Sequence, residues 1–473
     1  MAKEANASLD ALEPGALEQQ LPGITEAMDR DAMARHIEKH LIGAGDSRQV
    51  QRCSLVSAIL LEDCAVLRYE VEVEGTGGPS TALITGRVFS DSAAAENYAR
   101  ERVVPLTEQV RGRAELASLT SPVAVVQGIG TTLYAYPIDG ELPTLGPATD
   151  GDIAGTALEQ LLGANGHQDV EVQSCRAEPV HYNRRHRCML RYRIDLSGGR
   201  SLAVYGKVTS DDSGARIPGV VDALLDTFER AEVALPQCLG WRPDLKLVAF
   251  TEIPGAPRVA QLLKARLKGE SAPGETGLED AVDMCGRIAA ALHTSGLELG
   301  EARPLEVELA RLRGNLAHMT TLSPQLARRL GNWLNLVEER AASTPVLDLC
   351  QCHGDFSYTQ LIFDGPHAGL VDFDNFCRAE PALDLGQFLA YLHYAGLKAR
   401  VGSLGTERAG VTEDLARRFA DSYLASGGRL EALRRVPIYE ATNLIRMAEH
   451  AWQNLKSRRL EQLVTLLGER MAA

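Results

Sequence analysis

The chain has 473 residues, 45% hydrophobic and 24% charged, enough for two to four units of about 100–200 residues each. Lys and Arg total 49 against 63 Asp and Glu, a formal charge of −14. That field argues against nucleic acid or an anionic membrane as partner and better suits a cationic or neutral small substrate. The opening MAKEANASLDALEPG has no apolar signal core and no run reaches about 18 apolar residues. With nine scattered cysteines, the expected setting is a reducing cytoplasm with free, mostly buried thiols.

Residues 1–30 read as a flexible tail. An internal repeat follows. DAMARHIEKHLIG at 31–43 and DIAGTALEQLLG at 152–163 both read as short amphipathic helices opened by an aspartate cap. CAVLRYEVEV at 64–73 and CMLRYRIDL at 188–196 alternate apolar and polar residues as strands do, and each runs into a Gly-rich turn. The return strands are TALITGRVFSDS at 81–92 and SLAVYGKVTSDD at 201–212. Beyond them lie LYAYPIDGELPTL at 133–145 and LVAFTEIPGAPRVAQLL at 247–263. The same features recur in the same order, which argues for duplication: a first copy over 31–150 and a second over 151–262.

The copies differ where chemistry would matter. The second carries Lys207 after Tyr205-Gly206, and the first carries Arg87 after Thr85-Gly86. A lysine on a strand behind a hairpin can hold nucleotide phosphates as a compact point charge, for which the planar arginine fork is no equivalent. The second copy is therefore expected to bind nucleotide. The first is expected to be a degenerate lobe that packs on the second or mediates self-association. The turn HYNRRHRC at 181–188 places Arg184, Arg185 and Arg187 near the same phosphates, or else is a solvated basic turn.

Residues 265–279 mix Gly, Pro and charge and read as an exposed loop. The remainder, 263–473, reads as mostly helical, interrupted by HGDFSYTQLIFDGPHAGLVDFDNFCRAEPALDLG at 353–386. There Asp355 opens a loop and Gln360 follows five residues later. A hairpin with a DGPHA turn then delivers Asp372 to a strand end, with Asp374 two residues beyond. Two carboxylates and an amide converge at one hairpin mouth, a set able to hold a divalent cation and to orient a hydroxyl for phosphoryl transfer. Each aspartate alone could equally be a capping or turn residue. Cys350, Cys352 and His353 invite a zinc reading, but no second Cys/His pair lies at a compatible spacing.

The runs HGDFSYTQLIF, GLVDFDN and EPALDLG resemble those of the aminoglycoside phosphotransferase and choline-kinase-like family. GRIAAALHTSGL at 286–297 and LVAFTEIPGAP at 247–257 are similar to further stations of that family. The resemblance implies an α+β, protein-kinase-like bilobal fold, here with a duplicated N-terminal lobe, and ATP- and Mg²⁺-dependent phosphorylation of a hydroxyl on a small molecule. It implies that Asp355 is the catalytic base, that Asp372 ligates Mg²⁺ with Gln360 where relatives have Asn, and that Asp384 braces the catalytic loop. It also places Phe250, Glu252 and Ile253 near the adenine. Asp222, Asp226 and Glu229 are candidates for the acid that pairs with Lys207. The alternatives are a pseudokinase or nucleotide-binding scaffold, and a kinase acting on a peptide or protein.

Overall fold

Alternating apolar residues build two antiparallel sheets. A computed structural model describes Glu13 and residues 15–43, 46–75, 78–167, 170–184, 186–270, 276–400 and 409–472. The first sheet contains β1 (Gln49–Leu60), β2 (Cys64–Glu74), β3 (Ser80–Phe89), β4 (Val123–Val126) and β5 (Thr131–Ala135), ordered β1-β2-β3-β5-β4. The second contains β6 (Val172–Arg184), β7 (Arg187–Leu196) and β8 (Ser201–Thr209). Past the short β9 (Val233–Ala234) it takes in β10 (Cys238–Arg242) and β11 (Leu247–Thr251), ordered β6-β7-β8-β11-β10. Read from the first strand of each, the two orders are the same.

The likeness extends to side chains. The Tyr69 hydroxyl donates to Ala27 O at 2.7 Å, and the Tyr192 hydroxyl donates to Ala148 O at 2.8 Å. Across the ladder each ring lies over a glycine. A Cβ on Gly86 would sit 3.1 Å from the Tyr69 ring, and one on Gly206 would sit 2.5 Å from the Tyr192 ring. Glu38 accepts from Val50 N–H at 3.0 Å, and Glu159 accepts from Val172 N–H at 2.7 Å, so in each copy a helix glutamate receives the first strand.

Three expectations shift. The helix caps are Asp29 and Asp150, which accept from Ala32 N–H at 2.8 Å and Ile153 N–H at 3.1 Å. The helices thus begin two residues before Asp31 and Asp152, by the same offset in both copies. The tail expected over 1–30 is packed from its middle onward: Ala16–Gln20 packs on the helix Leu305–Leu322 and Ile24–Met28 on the first sheet, and burying Leu17, Leu21, Ile24 and Ala27 offsets the entropy of ordering them. Residues 1–12 lie outside the described residues. The loop expected from residue 265 begins later, because Val259–Lys268 is a helix closed by left-handed Gly269, φ 71°.

The C-terminal half is helical, with a third sheet set into it. β13 (Leu361–Asp364) and β14 (His367–Leu370) form a hairpin that β9 joins in parallel, tying it to the chain leaving the second sheet. β12 (Cys350–Cys352) pairs with the last strand, β15 (Cys377–Ala379). The helices Leu278–His293, Ala382–Arg400, Leu430–Gln453 and Ser457–Ala472 pack around these strands. Among the described residues no helix is long and apolar enough to cross a membrane. All nine cysteines are free thiols.

The two units meet through a buried polar knot. Asp139, after β5, accepts from the Tyr182 hydroxyl of β6 at 2.6 Å and lies 3.7 Å from the Arg68 guanidinium. Arg68 in turn sits 4.0 Å over the Tyr182 ring, and all three residues are buried. Asp139→Ala leaves Arg68 buried without a counter-charge, and is expected to cost about 3–5 kcal/mol in urea unfolding. A loss no larger than that of an exposed Asp→Ala control would show that the knot does not join the units.

Candidate functional site

The period of the second sheet decides which side chains face the helical half. On β8, Val204 and Val208 enter a core with Leu190, Tyr192 and Leu247, so Lys207, one residue out of phase, takes the opposite face. Val248 pairs with Lys207 and Arg187 with Thr209, so Val248 and Arg187 share that face. Phe250 enters the core of the helical half, its ring 6.5 Å from Phe373.

Lys207 is 5% exposed and reaches across to the hairpin mouth. Its ammonium donates to Asp372 Oδ1 and to Asp374 Oδ1, each at 2.8 Å. Arg187 donates to Asp374 Oδ2 and lies 4.0 Å from Asp372 Oδ1, and Arg216 donates to the Asp374 carbonyl. Lys207 therefore pairs with the hairpin aspartates rather than with Asp222, Asp226 or Glu229, because the lysine points off the sheet toward the strand end. Burial pushes the Asp372 carboxyl up, but Lys207 and then Arg187 outweigh it and hold the group below the usual carboxylate range. Asp372 adopts φ 71°, ψ 74°, a left-handed conformation costing a non-glycine residue about 1–3 kcal/mol, here retained where two acids must meet two cations.

The catalytic-type loop hangs from Asp384, which is fully buried. Its Oδ2 accepts from His353 N–H at 2.7 Å and its Oδ1 from Gly354 N–H at 2.9 Å, while His293 Nε2 lies 3.3 Å from Oδ2. Gly354 is at φ +74°, and a Cβ there would lie 2.1 Å from the Asn375 carbonyl oxygen, so only glycine fits. His353 links both halves of the site. Its Nδ1 accepts from Asp355 N–H at 3.3 Å and its Nε2 donates to the Val371 carbonyl at 3.1 Å. A backbone N–H only donates and a carbonyl only accepts, so the neutral Nε2–H tautomer satisfies both. The Asp355 carboxylate is half-buried and accepts from the Gln387 amide, a partner one helical turn past Asp384 that sequence reasoning missed.

Gln360 closes a short turn, and its carbonyl accepts from Val371 N–H at 3.0 Å, which sets it beside Asp372 across the hairpin. Glu252 and Ile253 follow β11. The Glu252 carboxylate accepts from Arg191 at 2.9 Å, and Ile253 packs on Gly369 of β14. Arg185 lies outside the described residues. Between the basic turn and Asp374 a cavity of about 340 Å³ opens, lined among others by His186, Arg187, Ser210, Ser213 and Arg216. Arg216 carried no sequence signal, because its partner lies 158 residues away. The two thiols Cys350 and Cys352 come within 4.8 Å of His293 rather than His353. Both ring nitrogens of His293 are already engaged, by Asp384 and by the Tyr423 hydroxyl at 3.1 Å.

The loop, the hairpin and the helix before them lie inside residues 222–439, which match the model of the phosphotransferase enzyme family. Those residues are similar to that family over a little under half of the chain. Homoserine kinase from Pseudomonas aeruginosa is 30% identical over 166 residues, 34% of this chain and 49% of that protein, so the chain spans about half the length of the curated relatives it matches. Among solved structures, a glucosamine kinase is similar at 16% identity and a TM-score of 0.47, covering 89% of this chain and 92% of its own. A choline/ethanolamine kinase family protein from Mesorhizobium loti is similar at 14% identity and a TM-score of 0.42, covering 63% and 88%. The matched segment contains Phe250, Glu252, Ile253, Asp355, Gln360, Asp372 and Asp384, whereas Lys207 and Arg187 precede it.

Asp384 makes the segment acid-sensitive. Burial raises its carboxyl, but the hydrogen bond from His293, the electrostatic influence of the two neighbouring imidazoles and the His353 N–H outweigh it, and the group lies below the usual carboxylate range. A carboxyl depressed in the folded state stabilises fully above its unfolded value of about 3.9, and that contribution is lost as pH falls through the lower folded value. Asp384→Asn is therefore expected to be less stable than wild type at neutral pH and to lose less stability on acidification. Urea midpoints followed from neutral pH to below about pH 3 check this, and parallel curves for the two proteins would refute it.

Proposed function

We propose that the protein is an ATP- and Mg²⁺-dependent phosphotransferase acting on a hydroxyl of a small molecule. The observation that carries the reading is the convergence of Lys207 from the second sheet with Asp372 and Asp374 from the hairpin, while His353 holds the Asp355 loop to the same hairpin. Phosphoryl transfer needs cations on the phosphates, oxygens on a divalent ion and a carboxylate at the acceptor, and these residues are of those types.

Asp355 orients the acceptor hydroxyl and takes its proton. The hydroxyl oxygen bonds to the γ-phosphorus, the bond from that phosphorus to the β–γ bridging oxygen breaks, and ADP leaves with the electron pair. Lys207 and Arg187, with Arg185 two residues earlier in the sequence, hold the phosphates. The face of the second sheet bearing Phe250, with Glu252 and Ile253 beyond it, receives the adenine. A carboxylate and an amide offer the hard oxygen donors that suit Mg²⁺, and Asp372 with Gln360 would hold it. Bound there, Mg²⁺ would neutralise charge on the transferring phosphate. Lys207 would then exchange its contacts with Asp372 and Asp374 for nucleotide phosphate.

The first unit is read as a non-catalytic lobe, its domain running over 31–150 beside the nucleotide lobe at 151–262 and the catalytic lobe at 263–473. Arg87, at the position matching Lys207, donates to Glu141 at 2.7 Å and to the Tyr98 hydroxyl at 3.1 Å, and so is committed within its own unit.

Asp355→Asn is expected to lower kcat for acceptor phosphorylation by about 10²–10⁴ with the KM for ATP unchanged. Wild-type transfer rates in that variant would overturn the assignment. Lys207→Ala is expected to raise the KM for ATP instead, measured with Mg²⁺ saturating, and an unchanged KM would remove the lysine from the phosphate site. A wild-type protein that binds ATP but phosphorylates no acceptor would be a nucleotide-binding scaffold.

A further inference from the structure

Beside Asp355 lie three helices, two of which supply cations, although the chain as a whole carries a formal charge of −14. The helix Ala382–Arg400 presents Gln387 and, one turn on, Tyr391. Gln387 is fully buried, and its amide nitrogen must face Asp355, because a carboxylate only accepts. That leaves the Gln387 Oε1 beside the carboxylate, buried and without a hydrogen-bond donor. An orphaned acceptor in such a place is costly unless a ligand supplies the donor. The Tyr391 ring packs edge-on against Tyr358 at 6.3 Å and continues the wall.

The cations come from the end of the chain. Arg446, on Leu430–Gln453, gives one nitrogen to Asn443 Oδ1 at 2.7 Å. Arg459, on Ser457–Ala472, lies 5.3 Å over the Tyr394 ring with its Nε buried and unpartnered. Both guanidinium groups and the Asp355 carboxylate act on the Tyr391 hydroxyl, which burial and then Asp355 push up and the two arginines pull down. Between residues 446 and 459 the chain carries Arg446, Lys456, Arg458 and Arg459 against one acid, Glu449, whose carboxylate receives a hydrogen bond from Asn315 at 3.4 Å. Among the described residues no carboxylate oxygen lies within 4.0 Å of the Arg446, Lys456 or Arg459 nitrogens. These residues all follow the family-matched segment, which ends at 439.

Glu449 feels the Arg446 charge without reaching ion-pair distance. Partly buried guanidinium groups with free donors and, among the described residues, no acid within 4.0 Å fit an anionic ligand, since charge-assisted pairs with carboxylate or phosphate are the strong ones. A cationic acceptor would meet repulsion from the same groups. We propose that the acceptor is itself an anion, with a carboxylate or phosphate received by Arg446 and Arg459 while its hydroxyl reaches Asp355. Gln387 Oε1 takes a hydrogen-bond donor next to that hydroxyl. The proposal rests on the phosphotransferase reading of Asp355, and it reverses the preference for cationic or neutral substrates that the net charge suggests.

The test uses the full-length protein with ATP and Mg²⁺ and four acceptors: glycerate, its uncharged amide glyceramide, glycerol phosphate and ethanolamine. An anionic acceptor is expected to exceed both glyceramide and ethanolamine by about tenfold or more in kcat/KM, and the better of glycerate and glycerol phosphate tells carboxylate from phosphate. Arg446→Gln and Arg459→Gln are each expected to raise the KM for that anion about tenfold, with the KM for ATP unchanged. Equal or better turnover of glyceramide or ethanolamine, or variants that keep the wild-type preference, would overturn the proposal. If no acceptor turns over, calorimetric titration with glycerate and glycerol phosphate decides. Binding that is lost in Arg446→Gln keeps the anion site and counts against phosphotransfer, and no binding of either anion overturns the anion site as well.

Discussion

A single buried carboxylate organises the catalytic half. Asp384 has no exposed surface, so its charge must be met inside the protein, and it is met by His353 N–H, Gly354 N–H and the His293 ring. Those three donors belong to two separate stretches of chain, the 353–354 loop and the helix ending at His293. The carboxylate therefore fixes the start of the Asp355 loop relative to the helix ending at His293 and to its own helix, Ala382–Arg400. Loss of one donor would leave a desolvated charge, so the arrangement resists gradual loosening. His353 carries the constraint onward, because its ring joins Asp355 N–H to the Val371 carbonyl, one residue before Asp372.

The charges at the hairpin mouth are balanced in a way that suits exchange. Asp372 and Asp374 face Lys207 and Arg187, two negative groups against two positive. The cluster can stay partly buried because each charge has a partner. A metal–nucleotide complex brings both signs at once: the ion could replace the cations on the aspartates while the phosphates replace the aspartates on the cations. Such an exchange would need no new buried charge, which is a physical reason for the lysine and the two aspartates to share contacts.

Much of this was legible along the chain, and the limits have physical causes. Strand boundaries followed from period-two alternation in Cys64–Glu74 and Arg187–Leu196, where one face is wholly buried. Asp372 and Asp374 would share a side if the strand continued, but it ends at Leu370 and Asp372 turns left-handed, so it is Lys207 that brings the two carboxylates together. What stayed hidden were partners set by long-range packing: Arg216 and Asp374, Gln387 and Asp355, and the acid met by Lys207. The packed helices Ala16–Gln20 and Ile24–Met28 were also hidden, since each is too short to show a period and owes its order to distant elements, the helix Leu305–Leu322 for the first and the first sheet for the second. Composition misled where it averaged: a chain of net charge −14 still gathers Arg446, Lys456, Arg458 and Arg459 where the helices Leu430–Gln453 and Ser457–Ala472 join.

The two sheets separate what a scaffold requires from what a site requires. Both keep a tyrosine whose hydroxyl is received by a preceding helix, a glycine beneath its ring, and a glutamate that catches the first strand. These features solve the same packing problem, and a change in any of them would open a cavity or strand a buried polar group. The residue after the glycine is under no such constraint, because it points off the sheet. In the first copy it is Arg87, closed by Glu141, Tyr98 and the Cys64 sulfur. In the second it is Lys207, whose partners belong to a different lobe. A partner within the same unit makes a fixed structural pair, whereas partners across a lobe boundary can be exchanged for a ligand that enters between the lobes.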